Sequence, residues 1–373
     1  MIDRQRVASP KGTMKPLIIP VFLPHLGCRE RCLFCNQKAI APEVPSPARV
    51  RELIRSALSR LPRDKGRERQ VAFYGGSFTA IPKEEQVAYL NEAHAFVCSG
   101  RIDSVRVSTR PDALDHDTLS LLKEYGVKTV EVGAQSMDDE VLSLSCRGHS
   151  SKDTISAVSQ LKQQGFEAGV HLMIGLPGDS LDRFLRSLAQ VISLRPDFLR
   201  IHPTLVLKGS SLETLWRDGF YAPLTLEETV RWLKMGLLRL EREPIQVARI
   251  GLQVTREIES SILAGPHHPA LHQLVDSEIY FDMASRLLGT HQGEREPRFI
   301  CHPGEVSSVR GQRNTNIQRL KNQFEVKSIL VSERQDIPKK FLSMQTLTGE
   351  ASIQRRDLID CPWEAKASPT HFI

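Results

Sequence analysis

No apolar run in this 373-residue chain reaches the ~18 to 20 residues that a bilayer-spanning helix requires. The opening stretch, Met1 to Lys15, also lacks the apolar region of a secretory signal. Both absences predict a cytoplasmic chain with no membrane partner. Disulfide density is missing too. Seven cysteines at this length form an odd, sparse set, which suits a reducing compartment where thiolates can serve a metal. An internal repeat and a low-complexity tract are likewise absent, which excludes a repeat array. With 40% hydrophobic and 25% charged residues, the chain can bury a full core in one large domain with an appendage.

Three of the cysteines stand together in Gly27-Cys28-Arg29-Glu30-Arg31-Cys32-Leu33-Phe34-Cys35, directly after the apolar run Leu17 to Leu23. Thiolates are soft ligands suited to iron-sulfur clusters, copper(I) and zinc, and a short loop after a strand can bring three sulfurs onto one centre. A cubane cluster has four irons, so three protein thiolates leave one iron open. An open iron is what an enzyme needs to chelate the amino and carboxylate groups of S-adenosylmethionine and pass an electron to its sulfonium. The competing readings are a zinc knuckle lacking its fourth ligand and ordinary buried thiols.

Apolar periodicity predicts six strand-helix units. Strands are expected at Leu17–Leu23, Val71–Tyr74, Val105–Thr109, Thr129–Val132, Ala168–Ile174 and Phe198–His202. Helices are expected from Val50 to Leu61, Glu84 to Val97, Asp115 to Tyr125, Asp138 to Leu144, Lys152 to Gln164, Ser180 to Leu194 and Leu226 to Leu240. Alternation of this kind calls for parallel β/α units with chemistry at the carboxyl ends of the strands. A full eight-stranded barrel takes ~250 residues and about 230 are available, so the expected fold is α/β, a partial (β/α)6 TIM-like barrel over residues 17–245. Residues 1–16 read as a polar leader and 246–297 as a helical extension, with helices at Ile250–Ala264 and Ala270–Leu288. Residues 298–373 read as a basic C-terminal segment, completing a C-terminal α+β extension with β-like runs such as Val326 to Val331.

Charge is unevenly spread. Residues 1–70 hold 15 Lys or Arg against 6 Asp or Glu, and residues 298–373 hold 12 against 8, although the net charge is only +6. Basic ends around an acidic middle point toward a polyanionic partner, the alternative being a solvated surface rich in lysine and arginine. Arg310-Gly311-Gln312-Arg313-Asn314-Thr315-Asn316 is either a grip on RNA phosphates or a polar loop capped by its own side chains.

Unusual residues stand where the expected strands stop. Gly75-Gly76-Ser77-Phe78-Thr79 follows the second, Ser108-Thr109-Arg110-Pro111-Asp112 ends the third and Glu131-Val132-Gly133-Ala134-Gln135-Ser136 ends the fourth. Cys146-Arg147-Gly148-His149 comes one short helix later. His171 to Gly178 ends the fifth strand, and Arg200 to Gly209 the sixth, followed by Leu215-Trp216 and Tyr221. In this order the motifs resemble the radical S-adenosylmethionine superfamily, and within it the radical core of the Elongator catalytic subunit family, over about residues 17–245. More distantly the chain is similar to oxygen-independent coproporphyrinogen III oxidase.

The resemblance implies a radical S-adenosylmethionine enzyme of the matching barrel type, with two cofactors, a [4Fe-4S] cluster and S-adenosylmethionine. Cys28, Cys32 and Cys35 would hold the cluster, Phe34 being the aromatic residue before the last cysteine. Gly75 and Gly76 would offer backbone groups to the methionyl amine. Arg147 would pair with the methionyl carboxylate, a bidentate match beyond lysine. Ser108 and Gln135 would face the ribose, and Ile174 and Gly175 would border the adenine. His202 and Lys208 would face the substrate, whereas His149, His171 and Tyr221 read equally as core residues. Ser108 stands where relatives carry glutamate, and the Elongator subunit spaces its first two cysteines more widely. Nothing after residue 245 resembles an acetyltransferase domain, so carboxymethyl formation is not carried over. The expected partners are an RNA substrate, tRNA above all, and a reductase, flavodoxin or ferredoxin as electron donor. A tetrapyrrole or other small-molecule substrate, and a non-catalytic cluster- or zinc-carrying RNA-binding protein, are the alternatives.

Overall fold

The computed structural model describes residues 16–39, 41, 43–61, 67–252, 256–291, 293–294, 296–346 and 349–359. The polar leader and residues 360–373 fall outside it, apart from residue 16. The chain divides into two compact units, one of residues 1–134 with 146–171, the other of residues 135–145 with 172–373.

All six expected strands form, as β1 (Leu17–Leu23), β2 (Arg69–Gly75), β3 (Ser104–Thr109), β4 (Val127–Gln135), β5 (Glu167–Ile174) and β6 (Phe198–Pro203). The helices between them are α1 (Pro47–Arg60), α2 (Lys83–Cys98), α3 (His116–Glu124), α4 (Asp139–Leu144), α5 (Ser151–Gln163) and α6 (Leu181–Leu194). Their ends carry local signals. Ser46 caps α1 ahead of Pro47, Asp115 caps α3 through the Thr118 N–H, and Ser150 with Asp153 forms a capping box on α5. Strand cores are apolar and sealed, with Val21, Val71, Val105, Val107, Val130 and Val132 all fully buried. That is how parallel strands covered on both faces read.

After the two-residue β7 (Val206–Leu207), α7 (Ser211–Arg217) and α8 (Leu226–Leu240), the chain forms one strand more than expected, β8 (Gln246–Ile250). The main sheet therefore has seven strands in the order β1-β2-β3-β4-β5-β6-β8. It is the parallel, partial TIM-like barrel that the sequence predicts, with seven strands instead of six. Arg200 and Ile201 pair in parallel with Arg249 and Ile250. The helix expected over Ile250–Ala264 is not seen among the described residues. Gly251 turns the chain at φ +80°, α9 covers only Arg256–Glu259, and β9 (Ile262–Ala264) pairs antiparallel with β7. Ladder partners supplied by β6 and β7 override a weak helical pattern.

The remaining expected helix is α10 (Leu271–Thr290), whose face is buried from Leu271 through Leu288. Beyond it lie β10 (Arg298–Cys301), α11 (Val306–Arg310), α12 (Thr315–Phe324), β11 (Leu330–Glu333), β12 (Phe341–Thr346) and β13 (Gly349–Gln354). The four strands form a mixed sheet in the order β11-β10-β12-β13. The strand expected at Val326–Val331 begins at Leu330. In the Arg310–Asn316 segment, Asn316 is buried and its amide donates to the carbonyls of Ser277, Ser308 and Val309. Arg310 donates to Val331 O. Both side chains are thus engaged within the protein, and the segment runs from the end of α11 into α12. No helix among the described residues is long and apolar enough to cross a membrane.

Candidate metal and cofactor site

The cysteine loop leaves β1 through a turn in which Leu26 N–H donates to Leu23 O and Cys28 N–H to His25 O. It then packs backbone to backbone against the turn after β2. Gly76 N–H donates to Leu23 O and Ser77 N–H to Leu26 O. This contact explains the glycines. A Cβ on Gly76 would lie 1.9 Å from Leu26 O, and one on Gly27 (φ +73°) would lie 2.2 Å from Ser77 O. Sequence reasoning read the Gly75-Gly76 pair either as room for a ligand or as a tight turn. The structure shows close approach of the cysteine loop itself, with Gly76 N–H already engaged.

Cys28, Cys32, Phe34 and Cys35 are all half-buried. Burial raises the Cys28 thiol above its ordinary range, as does the neighbouring Cys32, while Arg147 and Arg110 oppose both. Burial pushes Cys35 up to about 12, with Cys32 and Cys28 adding. Binding a metal at Cys28 and Cys35 would therefore release protons. No three His, Cys, Asp or Glu among the described residues close on a single metal ion.

Arg147 reaches this loop from between two left-handed residues, Cys146 (φ +53°) and Gly148 (φ +68°). It is buried, and it donates from Nη1 to Cys32 Sγ at 2.9 Å and from Nη2 to Gly133 O at 2.6 Å. Its Nε has no hydrogen-bond partner. Arg110, which sequence reasoning quoted but did not single out, is buried beside it. A fork onto Asp112 at 2.9 and 2.8 Å uses two of its nitrogens, and Nη1 has no partner. His149 bonds Ala134 O through Nε2, its Nδ1 is unpartnered, and burial lowers it to about 4, aided by Arg147 and Arg110. It is therefore neutral near pH 7. Unmatched buried polar atoms are costly. Here three of them accompany three soft thiols and two guanidinium groups, a set that fits a thiolate-held cluster with an anionic ligand beside it.

Ser108 lines a small crevice with Leu23, Leu26, Tyr74 and Gly76. The other predicted contacts belong to the second unit. Gln135 ends β4 at φ +68°. Ile174 is sealed, its carbonyl accepting from Thr204 N–H and Oγ1. Gly175 has both backbone groups occupied, its N–H by Asp179 at 2.9 Å and its carbonyl by the Tyr221 hydroxyl at 2.6 Å. Burial raises Asp179 to about 6. His202 Nδ1 lies 3.0 Å from Gly251 O, and Lys208 is exposed.

One buried network was missed. Glu131 is fully sealed, and its carboxylate accepts from Arg106 Nη1 at 2.7 Å and the Tyr74 hydroxyl at 2.9 Å. His171 Nε2 contacts its other oxygen. The available signal was a charge inside each of two apolar runs, Val105-Arg106-Val107 and Val130-Glu131-Val132. An unpaired charge there would be prohibitive, so each implied a partner.

Residues 22–191 match the Radical SAM superfamily and residues 196–280 match the Radical_SAM C-terminal domain. The chain belongs to the radical SAM superfamily of enzymes, whose membership implies a [4Fe-4S] cluster and S-adenosylmethionine. It is 32% identical over 149 residues to a tRNA uridine(34) acetyltransferase of Methanocaldococcus infernus, covering 39% of this chain and 27% of that protein. It is 28% identical over 221 residues to human Elongator complex protein 3, covering 54% of this chain and 40% of that one. The match thus spans well under half of either relative. A solved structure of the archaeal Methanocaldococcus infernus Elp3 shares the fold at a TM-score of 0.58 and 22% identity, over 70% of this chain and 62% of that one.

Proposed function

We propose that Cys28, Cys32 and Cys35 hold the cluster and that the chain uses S-adenosylmethionine beside it to modify RNA, with tRNA as the substrate class. The observation that carries this reading is Arg147, buried against Cys32 with an N–H left unmatched. A fixed planar cation at a thiolate centre suits a carboxylate ligand, and a structural metal knuckle has no use for one. Bound together, the two groups would supply one-electron reduction of the cofactor and a 5'-deoxyadenosyl radical that takes hydrogen from an unreactive carbon.

The chain's own residues do the positioning. Cys28, Cys32 and Cys35 would anchor the cluster, with Phe34 shielding it. Gly75 and Gly76 hold the cysteine loop against β2 and would face the methionyl amine. Arg147 would neutralise the carboxylate, with Arg110 adding positive charge. Ser108 and Gln135 would take the ribose, and Ile174 and Gly175 would border the adenine. A cytoplasmic reductase, flavodoxin or ferredoxin would deliver the electron. RNA is supported by the tRNA-modifying relatives and by the basic ends of the chain. The acetyltransferase activity in the relative's name is not carried over.

The test is 5'-deoxyadenosine release by the anaerobically reconstituted, reduced protein with and without total tRNA. Release stimulated by tRNA, and lost in Cys32→Ala and Arg147→Lys, is the expected result. Release indifferent to tRNA would favour a small-molecule substrate. A protein that carries zinc and releases nothing would refute the proposal.

A further inference from the structure

Arg147 alone does not complete a carboxylate site. Its Nη1 is on Cys32 Sγ and its Nη2 on Gly133 O, which leaves Nε as its one nitrogen without a partner. A carboxylate carries two oxygens and pairs best with two N–H groups side by side. Arg110 supplies another. It is as deeply buried as Arg147, each 7% exposed, and its Nη1 is also without a partner. Asp112 takes the Nε and Nη2 edge of that guanidinium. Three contacts place Arg110 at the cysteine loop. Its backbone N–H donates to Ser77 Oγ at 3.1 Å, and Ser77 N–H donates to Leu26 O at 2.8 Å. A Cβ on Gly148 would lie 3.3 Å from Arg110 Nη2 and 2.7 Å from Glu30 Cγ. The guanidinium thus crosses the bare α-carbon between Arg147 and His149, where Glu30, set between Cys28 and Cys32, also closes in. Among the described residues Asp112 is the one carboxylate paired with either guanidinium, so one of two buried positive charges has no carboxylate of its own. His149 does not compete for an anion. Its Nε2 donates to Ala134 O, so the unmatched Nδ1 carries a lone pair.

We propose that Arg110 is a second cofactor-binding residue, sharing the carboxylate of S-adenosylmethionine with Arg147, and that Asp112 is its positioning residue. The fork onto Asp112 fixes the guanidinium plane and leaves Nη1 as the group still to be matched. The bidentate match that sequence reasoning gave to Arg147 alone is then divided between two guanidinium groups. Lysine cannot stand in for Arg110, because a single ammonium has no second edge and cannot hold Asp112 in a fork while meeting a ligand. Gly148 is part of the same device, since a side chain there would displace the guanidinium or Glu30.

The inference rests on the reading that the three cysteines hold a cluster beside S-adenosylmethionine, and the experiment separates the two. Wild type, Arg110→Gln, Arg110→Lys and Asp112→Asn are reconstituted anaerobically and left unreduced, so that no turnover occurs. Iron is counted, and the affinities for S-adenosylmethionine and for decarboxylated S-adenosylmethionine are measured by calorimetry. Each ligand is compared between proteins. Loss of a hydrogen bond to a charged group should weaken S-adenosylmethionine by about tenfold to hundredfold in both Arg110 variants, and less in Asp112→Asn. The decarboxylated analogue has nothing for Arg110 to hold, so its affinity should stay within about twofold of wild type in all three. Unchanged affinity for S-adenosylmethionine in both Arg110 variants, with four irons bound, overturns this proposal alone. Equal weakening of both ligands, or loss of the cluster from both Arg110 variants, gives Arg110 a structural role and also overturns it. A wild-type chain that binds no four-iron cluster, or binds the cluster and no S-adenosylmethionine, overturns the underlying reading and the proposal together.

Discussion

Replacing Glu131 by glutamine tests whether the buried network is a stabilising ion pair. Glu131 is fully sealed, and Arg106, at 4% side-chain exposure, donates to it at 2.7 Å. The amide keeps the shape but removes the nearer and fully buried of the two carboxylates that offset the guanidinium, the other being Glu167 at 3.8 Å, and it turns one acceptor into a donor. If the amide N–H lies toward Arg106 the guanidinium has lost its acceptor, and if it lies toward His171 that ring must present an unprotonated Nε2. Removing one partner of a buried pair costs roughly 3 to 5 kcal/mol, and the conservative shape places this variant near ~3 kcal/mol. For a unit of this size each kcal/mol moves the melting midpoint by roughly 2 to 4 °C, so a fall of roughly 6 to 12 °C is expected. The assay is thermal unfolding of the metal-free protein, followed by circular dichroism. Replacing both partners by apolar residues, Arg106→Met with Glu131→Leu, should recover most of the loss because no charge is then stranded. A Glu131→Gln midpoint within about 2 °C of wild type would show that Arg106 is compensated elsewhere, and would refute this account.

Two further outcomes follow from the site. Gly76→Ala places a methyl 1.9 Å from Leu26 O, so the cysteine loop must move. The variant should fold with a lower midpoint and take up substoichiometric iron on reconstitution, whereas full iron with an unchanged midpoint would contradict the packing role. His149 is neutral in the fold and titrates near 4, against 6.5 when unfolded. Between those values the unfolded chain binds more protons, so stability should fall as pH drops from about 6.5 toward 4, by at most about 3 kcal/mol. Below about 4 the effect is spent. Chemical unfolding at pH 7 and pH 4.5 should show a smaller loss in His149→Asn, and an equal loss in both proteins would assign the slope to other groups.

Much of this protein was determined locally. The β/α alternation follows from sealed valine runs and helix caps such as Ser46 and Asp115, which act within a few residues. The cysteine loop was legible because soft ligands at tight spacing announce their chemistry in one dimension, and Arg147 was legible only through the resemblance of Cys146-Arg147-Gly148-His149 to a family motif. Three things waited for the tertiary structure. Gln246 to Ile250 is a strand because β6 presents an open edge to it, not because of its own pattern. Gly76 is glycine because Leu26, fifty residues earlier, comes within contact of its α-carbon. Glu131, Arg106, Tyr74 and His171 became a network only when four strands aligned side by side. A buried charge in a sequence shows that a partner is needed. Which partner it finds is set by register and strand order, and those are long-range properties of the folded chain.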